Sequence, residues 1–265
     1  MKNQLNIEIG GLCCSIETEK SAFFENLESK YGAFISHQKP KLTICVKTGH
    51  HRAVKAYSEV RSFSRNGLFA VRWGSVEGEI DLEAGKAWVK GATDFYSFDS
   101  FLRILYSLAI VKLNGFLVHA AGIIRKGKGY VFVGPAESGK TTIARLSSNC
   151  KILSDEVIII KRTDNDFQLA GTPFYGELET VQNMKAKAEK MFLLRRGKNG
   201  FYRRKLNSSE AAAKLLKNVL FFTPELQLTK RLLDLCSSFC RETRCEEIDF
   251  LPNNSFWRWI DDKDG

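Results

Sequence analysis

Short apolar runs separated by turn residues dominate the first third of the chain. Two lie between Asn6 and Ile16, broken by Gly10-Gly11, and Lys41–Val46 forms another. Leu68–Trp73, Gly78–Leu82 and Ala87–Val89 alternate or run apolar, which predicts a meander with Glu83-Ala84-Gly85-Lys86 at a hairpin tip. Ser21–Tyr31 changes the period, because Phe23, Phe24, Leu27 and Tyr31 recur at helical spacing. A longer helix is predicted from Phe98 to about Leu113, with Ser97 as its cap, Asp99 against the N-terminal dipole and Gly115 at its stop. It is apolar nearly all round, which predicts burial between two modules. The expected division is therefore a small, mainly β module over residues 1–96 and a second domain over 97–265.

In the second domain Phe116–Arg125 and Tyr130–Val133 read as strands joined by the tight turn Gly127-Lys128-Gly129. A glycine-rich loop and a helix follow, and Lys151–Lys161 reads as a third strand. Thr163–Asp166 turns the chain into Phe167–Ala170, and Lys190–Arg195 is a further strand. Asn207 with Glu210 three residues on predicts a capped helix start. Leu226–Cys240 reads as a helix, Cys245–Leu251 as a strand, and Trp257–Trp259 as a terminal turn or helix. Strands outnumber helices around the loop, so the expected class is α/β with a mixed sheet.

Composition narrows the class of protein. With 44% apolar residues and only 5 prolines in 265, the chain can bury a real core, which argues against wholesale disorder. The start lacks an apolar signal segment, and ILYSLAIV is far short of a membrane span, so a cytoplasmic protein without membrane partners is expected. The 7 cysteines form no paired C-x-x-C set and predict neither a disulfide framework nor zinc; Cys236 and Cys240 read as buried helical thiols. The net charge of +10 is concentrated. Between Val181 and Arg231 lie 13 Lys or Arg against 3 Glu, and the remainder of the chain is balanced. That segment reads as a solvated face, as a complement to anionic ligands such as nucleotide phosphates or an acidic peptide, or as a nucleic-acid surface with Phe192, Phe201 and Tyr202 for stacking.

The most specific chemistry is Gly134-Pro135-Ala136-Glu137-Ser138-Gly139-Lys140-Thr141, which matches G-x-x-x-x-G-K-[ST] between a buried strand and a helix that continues through Thr142. Its glycines let successive N–H groups turn inward toward phosphate oxygens. Lys140 is expected on the β and γ phosphates and Thr141 on Mg²⁺. Fourteen residues past Thr141 comes Asp155-Glu156 between apolar neighbours, where a buried carboxylate needs a metal or a partner. His119 lies on the strand that hairpins into the loop strand.

These elements, HAAGIIRKGKGYVFVGPAESGKTT followed by ILSDEV, resemble the HPr kinase/phosphorylase group, itself related to ATP-dependent phosphoenolpyruvate carboxykinases. The resemblance covers about Phe116–Pro173. The remaining chain is similar to the HPr-kinase-related proteins found beside peptide-modification genes, in GLCCSIE, in Gly171-Thr172-Pro173-Phe174 and in Phe192-Leu193-Leu194-Arg195-Arg196. It implies a kinase domain of that type and a functional role for His119. The acid pair is Asp-Glu where the family has Asp-Asp, and Ala136-Glu137 stands where it often has Ser-Gly. An outward Glu137 would be harmless to ATP and an inward one would oppose it. The C-terminal signature of the HPr kinases themselves has no match here, which argues against HPr as the substrate.

The expected activity is Mg-ATP-dependent transfer of a γ-phosphoryl group to a hydroxyl, serine of a peptide or protein. Asp155 is expected to accept the hydroxyl proton with Glu156 on the metal, roles that can exchange, and His119 to sit near the metal or the acceptor. Glu177 is a further metal candidate, and Arg195 and Arg196 are candidates for the acceptor peptide or the γ-phosphate. Two other readings stand beside this one: a silent ATP-binding module that presents a peptide to a partner enzyme, and a nucleic-acid-stimulated ATPase. An oligomer is compatible with all three.

Overall fold

The computed structural model describes residues 3–47, 49, 61–65, 67–179, 181–195, 201–223, 225–253 and 255–262. The chain divides into two compact units, Met1–Leu113 with Leu220–Arg231, and Asn114–Val219 with Leu232–Gly265. The first division thus falls after the long apolar helix, whereas the sequence placed that helix in the second domain.

The first unit is built on strands β1 (Asn3–Ile9), β2 (Leu12–Thr18), β3 (Leu42–Lys47), β4 (Arg61–Arg65), β5 (Leu68–Trp73), β6 (Val76–Asp81) and β7 (Lys86–Lys90), with helices α1 (Ser21–Tyr31) and α2 (Phe95–Lys112). The sheet order is β1-β2-β3-β7-β6-β5-β4. Pairing is antiparallel except for β2–β3 and β3–β7, which are parallel. Phe23 and Leu27 of α1 and Phe98, Phe101 and Leu105 of α2 are buried. Phe23 meets Phe98 edge-on at 5.5 Å. Two local expectations for α2 are corrected. Its cap is Asp94, whose carboxylate accepts from the Ser97 N–H at 2.9 Å, so the helix begins a turn earlier than Ser97 would allow. It stops at Asn114 rather than Gly115: Asn114 takes the left-handed conformation at φ 62°, which asparagine tolerates, and Gly115 already begins the next strand.

The second unit contains β8 (Gly115–Arg125), β9 (Lys128–Val133), α3 (Lys140–Leu146), β10 (Lys151–Ser154), β11 (Val157–Arg162), β12 (Phe167–Ala170), β13 (Lys185–Leu194), β14 (Tyr202–Lys205) and α4 (Ser208–Leu216). After β15 (Val219–Leu220) and α5 (Leu226–Glu242), which straddle the division, come β16 (Arg244–Asp249) and α6 (Phe256–Asp262). Asn207 caps α4 by accepting from the Glu210 N–H at 2.9 Å, as its spacing predicts. The sheet is mixed. β8 pairs antiparallel with β9, β10 and β11, whereas β9, β13 and β16 run parallel side by side. β13 starts five residues earlier than its apolar half predicts, because Lys185–Lys187 pair with β12.

The core of this unit joins β9, β13 and α3. Phe132 and Phe192 stack with ring centres 5.2 Å apart, and Ile143 and Ala144 of α3 belong to the same buried cluster. Phe192 is fully buried, which removes it as a nucleic-acid stacking residue. Phe201 stacks instead on Trp259 at 4.7 Å. All seven cysteines are free thiols, with Cys236 and Cys240 buried. Among the described residues no helix is long and apolar enough to cross a membrane.

Candidate functional site

β9 carries four consecutive buried residues, Tyr130–Val133, straight into the glycine-rich loop. Two glycines are required by space. A Cβ on Gly134 would lie 2.4 Å from the Ser138 Oγ, and one on Gly139 would lie 2.8 Å from the Phe250 ring, where φ is already +100°. The Ser138 N–H donates to the Pro135 carbonyl at 3.2 Å and closes the turn, and α3 begins at Lys140. Inside this turn the Ser138 Oγ is buried and has no hydrogen-bond partner.

Lys140 is folded into the loop. It is only 7% exposed, and its Nζ donates to the carbonyls of Gly134 at 2.8 Å and Pro135 at 2.9 Å. Burial lowers its pKa, and the nearby Glu156 carboxylate works in the opposite direction. Glu137 is exposed and sits at φ 61°, a left-handed conformation that side chains other than glycine rarely take. Its side chain therefore lies at the exposed mouth of the loop. Pro135 and Ala136 are also exposed, and Thr142 is half-buried on the first turn of α3.

The two acids stand at a break in a strand. β10 and β11 both lie along β8, with Ser154 opposite Gly122 and Val157 opposite His119, so one register spans the interruption. The single strand expected over Lys151–Lys161 is thus split at Asp155-Glu156. The Ser154 Oγ accepts from the Glu156 and Val157 N–H groups and donates to the Phe174 carbonyl at 2.7 Å. The Thr172 hydroxyl donates to the Val157 carbonyl. The Gly171–Phe174 segment therefore clamps the break from both sides.

Asp155 is 2% exposed and accepts from the N–H groups of Gly176 at 2.8 Å, Glu177 at 3.1 Å and Leu178 at 3.3 Å. The Thr141 hydroxyl donates to it at 3.4 Å, which links the loop helix to the acid pair. Glu177 reaches Asp155 through its backbone only, since its own carboxylate bonds the Arg145 guanidinium at 2.7 Å on the surface. Among the described residues no three His, Cys, Asp or Glu side chains converge as a metal cluster.

His119 lies between these parts. Its N–H donates to the Asn218 carbonyl at 2.8 Å, and it is half-buried. It shares a strand face with Ala121, which packs in the cluster containing Ile143 of α3. On one side it pairs with Val157, next to Glu156; on the other, the pairing with β9 ends one residue away at Ala120–Val133 and Asn218 takes the place beside it. Arg195 follows the end of β13, beside the end of β9, with its guanidinium 4.8 Å over the Tyr202 ring. Arg196 lies outside the described residues. Sequence reasoning missed Phe250, which follows β16 and packs on Gly139, and the N–H groups of 176–178. Only the Gly-Thr-Pro-Phe segment signalled the latter.

The fold and site define a mixed α/β protein whose second unit carries a glycine-rich loop at the C-terminal ends of parallel strands, the end where such sheets form ligand crevices. No family model and no curated protein matches the chain. Among solved structures it is similar to the HPr(Ser) kinase/phosphatase of Coxiella burnetii, with 16% identity and a TM-score of 0.27, over 44% of this chain and 93% of that one. At that TM-score the likeness carries no argument.

Proposed function

We propose that the second unit binds Mg-ATP in the loop and transfers the γ-phosphoryl group to a hydroxyl, serine of a peptide or protein. The observation that carries this reading is the joint placement of Lys140 inside the loop and of the Thr141 hydroxyl 3.4 Å from buried Asp155. The chain's residues fit the group. The orphaned Ser138 Oγ, the two space-limited glycines and an amine that donates to two loop carbonyls would each gain from a polyphosphate. Thr141 and Asp155 would hold the Mg²⁺, a smaller carboxylate set than a dedicated metal cage because Mg²⁺ shares its sphere with phosphates and water. When bound, Mg-ATP supplies the phosphoryl group and neutralises charge on it.

The rest falls to side chains that orient and move a proton. With Asp155 engaged by three N–H groups and Thr141, Glu156 is the better placed to accept the hydroxyl proton, which exchanges the two roles expected from the sequence. His119, beside Val157 and one residue from the end of the pairing with β9, would orient the acceptor, and Arg195 would meet its backbone or the γ-phosphate. γ-Labelled ATP with Mg²⁺ and a pool of serine-containing peptides tests this, read as labelled peptide and free phosphate beside Lys140→Ala. Label on a peptide that disappears in the variant is expected. ATP binding without label on any peptide or release of phosphate would refute transfer and favour the silent module.

A further inference from the structure

A second cleft of about 900 Å³ opens at the other end of β9, beside the hairpin tip that precedes it. The six residues of β9 separate it from the glycine-rich loop, roughly 20 Å of strand. Among the described residues four cationic side chains line it, Arg125, Lys126, Lys151 and Lys185, and no carboxylate does. Its floor is apolar, with Ile124, Leu146 and Met184. Its volume falls in the range of clefts that bind ligands.

Two of its cations, Arg125 and Lys126, also line a neighbouring cleft and hold a carboxylate there. Asp261 of α6, which lines the neighbouring cleft rather than this one, sits as a fork on Arg125 at 2.6 and 2.7 Å and lies 3.7 Å from Lys126. We propose that this cleft binds an acidic peptide segment, with incoming Asp or Glu side chains on Lys151 and Lys185, one of them displacing Asp261 from Arg125, and with apolar residues between them on the floor. Carboxylates suit this arrangement better than nucleic acid. Single strands need a track of cations and open aromatic faces. The only aromatic lining the cleft among the described residues, Trp257, is covered by the Arg125 guanidinium at 4.7 Å, and its Nε1 donates to the Ser147 Oγ at 2.8 Å.

The assay is fluorescence anisotropy of the full chain with a labelled peptide alternating Glu or Asp with Leu, at low salt and without nucleotide. A Lys/Leu peptide of the same length and a single-stranded oligonucleotide of the same charge are the comparisons. The acidic peptide is expected to bind more tightly than either. Lys151→Glu with Lys185→Glu, both exposed and so compatible with folding, is expected to weaken it by about ten-fold or more. Asp261→Asn is expected to tighten it about three-fold by releasing Arg125, and Lys140→Ala to leave it unchanged, which separates this site from the phosphoryl-transfer reading. Thermal unfolding checks that each variant is folded. Equal binding by the folded double Glu variant, or tighter binding of the oligonucleotide, would overturn the proposal.

Discussion

Glu137→Gly separates two contributions that the loop geometry combines. At φ 61° the Glu137 backbone is in a conformation that costs an L-residue about 1–2 kcal/mol and glycine almost nothing. Glycine gives back about 0.5–1 kcal/mol through the greater freedom of its unfolded chain. The expected balance is a gain of about 0.5–1 kcal/mol, or a rise in Tm of about 2–4 °C for a unit of this size. The substitution also removes an exposed carboxylate from the mouth of the loop. At a distance of about 8–10 Å in water, one negative charge facing a bound triphosphate changes affinity by roughly two- to five-fold, and salt screens the effect. Glu137→Ala isolates the second contribution, because it deletes the charge and keeps the Cβ at positive φ. Differential scanning calorimetry and titration calorimetry with Mg-ATP at 50 and 500 mM salt read the two apart. Glycine should raise both Tm and affinity, and alanine affinity alone. A Tm for Glu137→Gly equal to or below that of Glu137→Ala would refute the strain argument, and an affinity gain that persists at high salt would refute the electrostatic one.

Asp155→Asn keeps the volume but turns an amide toward N–H groups that now bond a carboxylate, which should cost about 2–4 kcal/mol and lower Tm by about 8–16 °C; an unchanged Tm would show that the 176–178 segment does not depend on this anchor. Lys140 has its pKa lowered by burial, so its charged form destabilises the folded chain below that lowered value and the penalty fades as pH rises toward its unfolded value. The stability of Lys140→Met relative to the natural chain should therefore fall as pH rises through the alkaline range, read by urea unfolding at several pH values. Asp261 is held below the usual carboxylate range by its hydrogen bonds from Arg125. Its contribution is complete above its unfolded value and is lost as pH falls through the lower folded one, so Asp261→Asn should lower stability at neutral pH, converge with the natural chain in acid, and flatten the acid limb of the stability profile.

Elements whose partners are local were legible in the sequence. Ser21–Tyr31 and the Asn207 cap follow from residues within one or two turns, and the strand, glycine-rich loop and helix around Lys140 are adjacent in the chain. The long apolar helix shows where local reading fails even so. Ser97 and Gly115 are each reasonable end signals, but Asp94 and Asn114 fill those roles because an aspartate caps as well as a serine and an asparagine tolerates positive φ. The break at Asp155-Glu156 was illegible for a different reason. Its apolar flanks, Ile152-Leu153 and Val157-Ile160, read as one strand, while the groups that stabilise the interruption come from Thr172 and Phe174, well over ten residues later.

The mouth of the loop depends on still longer range. β9 lies beside β13 and β13 beside β16, so Leu194, Arg195 and Phe250 reach Gly134, Gly139 and their surroundings from far along the chain, Arg195 61 residues beyond Gly134 and Phe250 111 residues beyond Gly139. No periodicity in the chain marks Phe250, since its significance lies in the space it leaves at Gly139. A motif can thus specify what the loop is able to bind, while the residues that set its width, and so admit or exclude a particular acceptor, are chosen by sheet order. That is why Lys140 and Thr141 stand out as candidates from sequence, whereas the three N–H groups that already occupy Asp155 come from a distant loop that no local pattern marks.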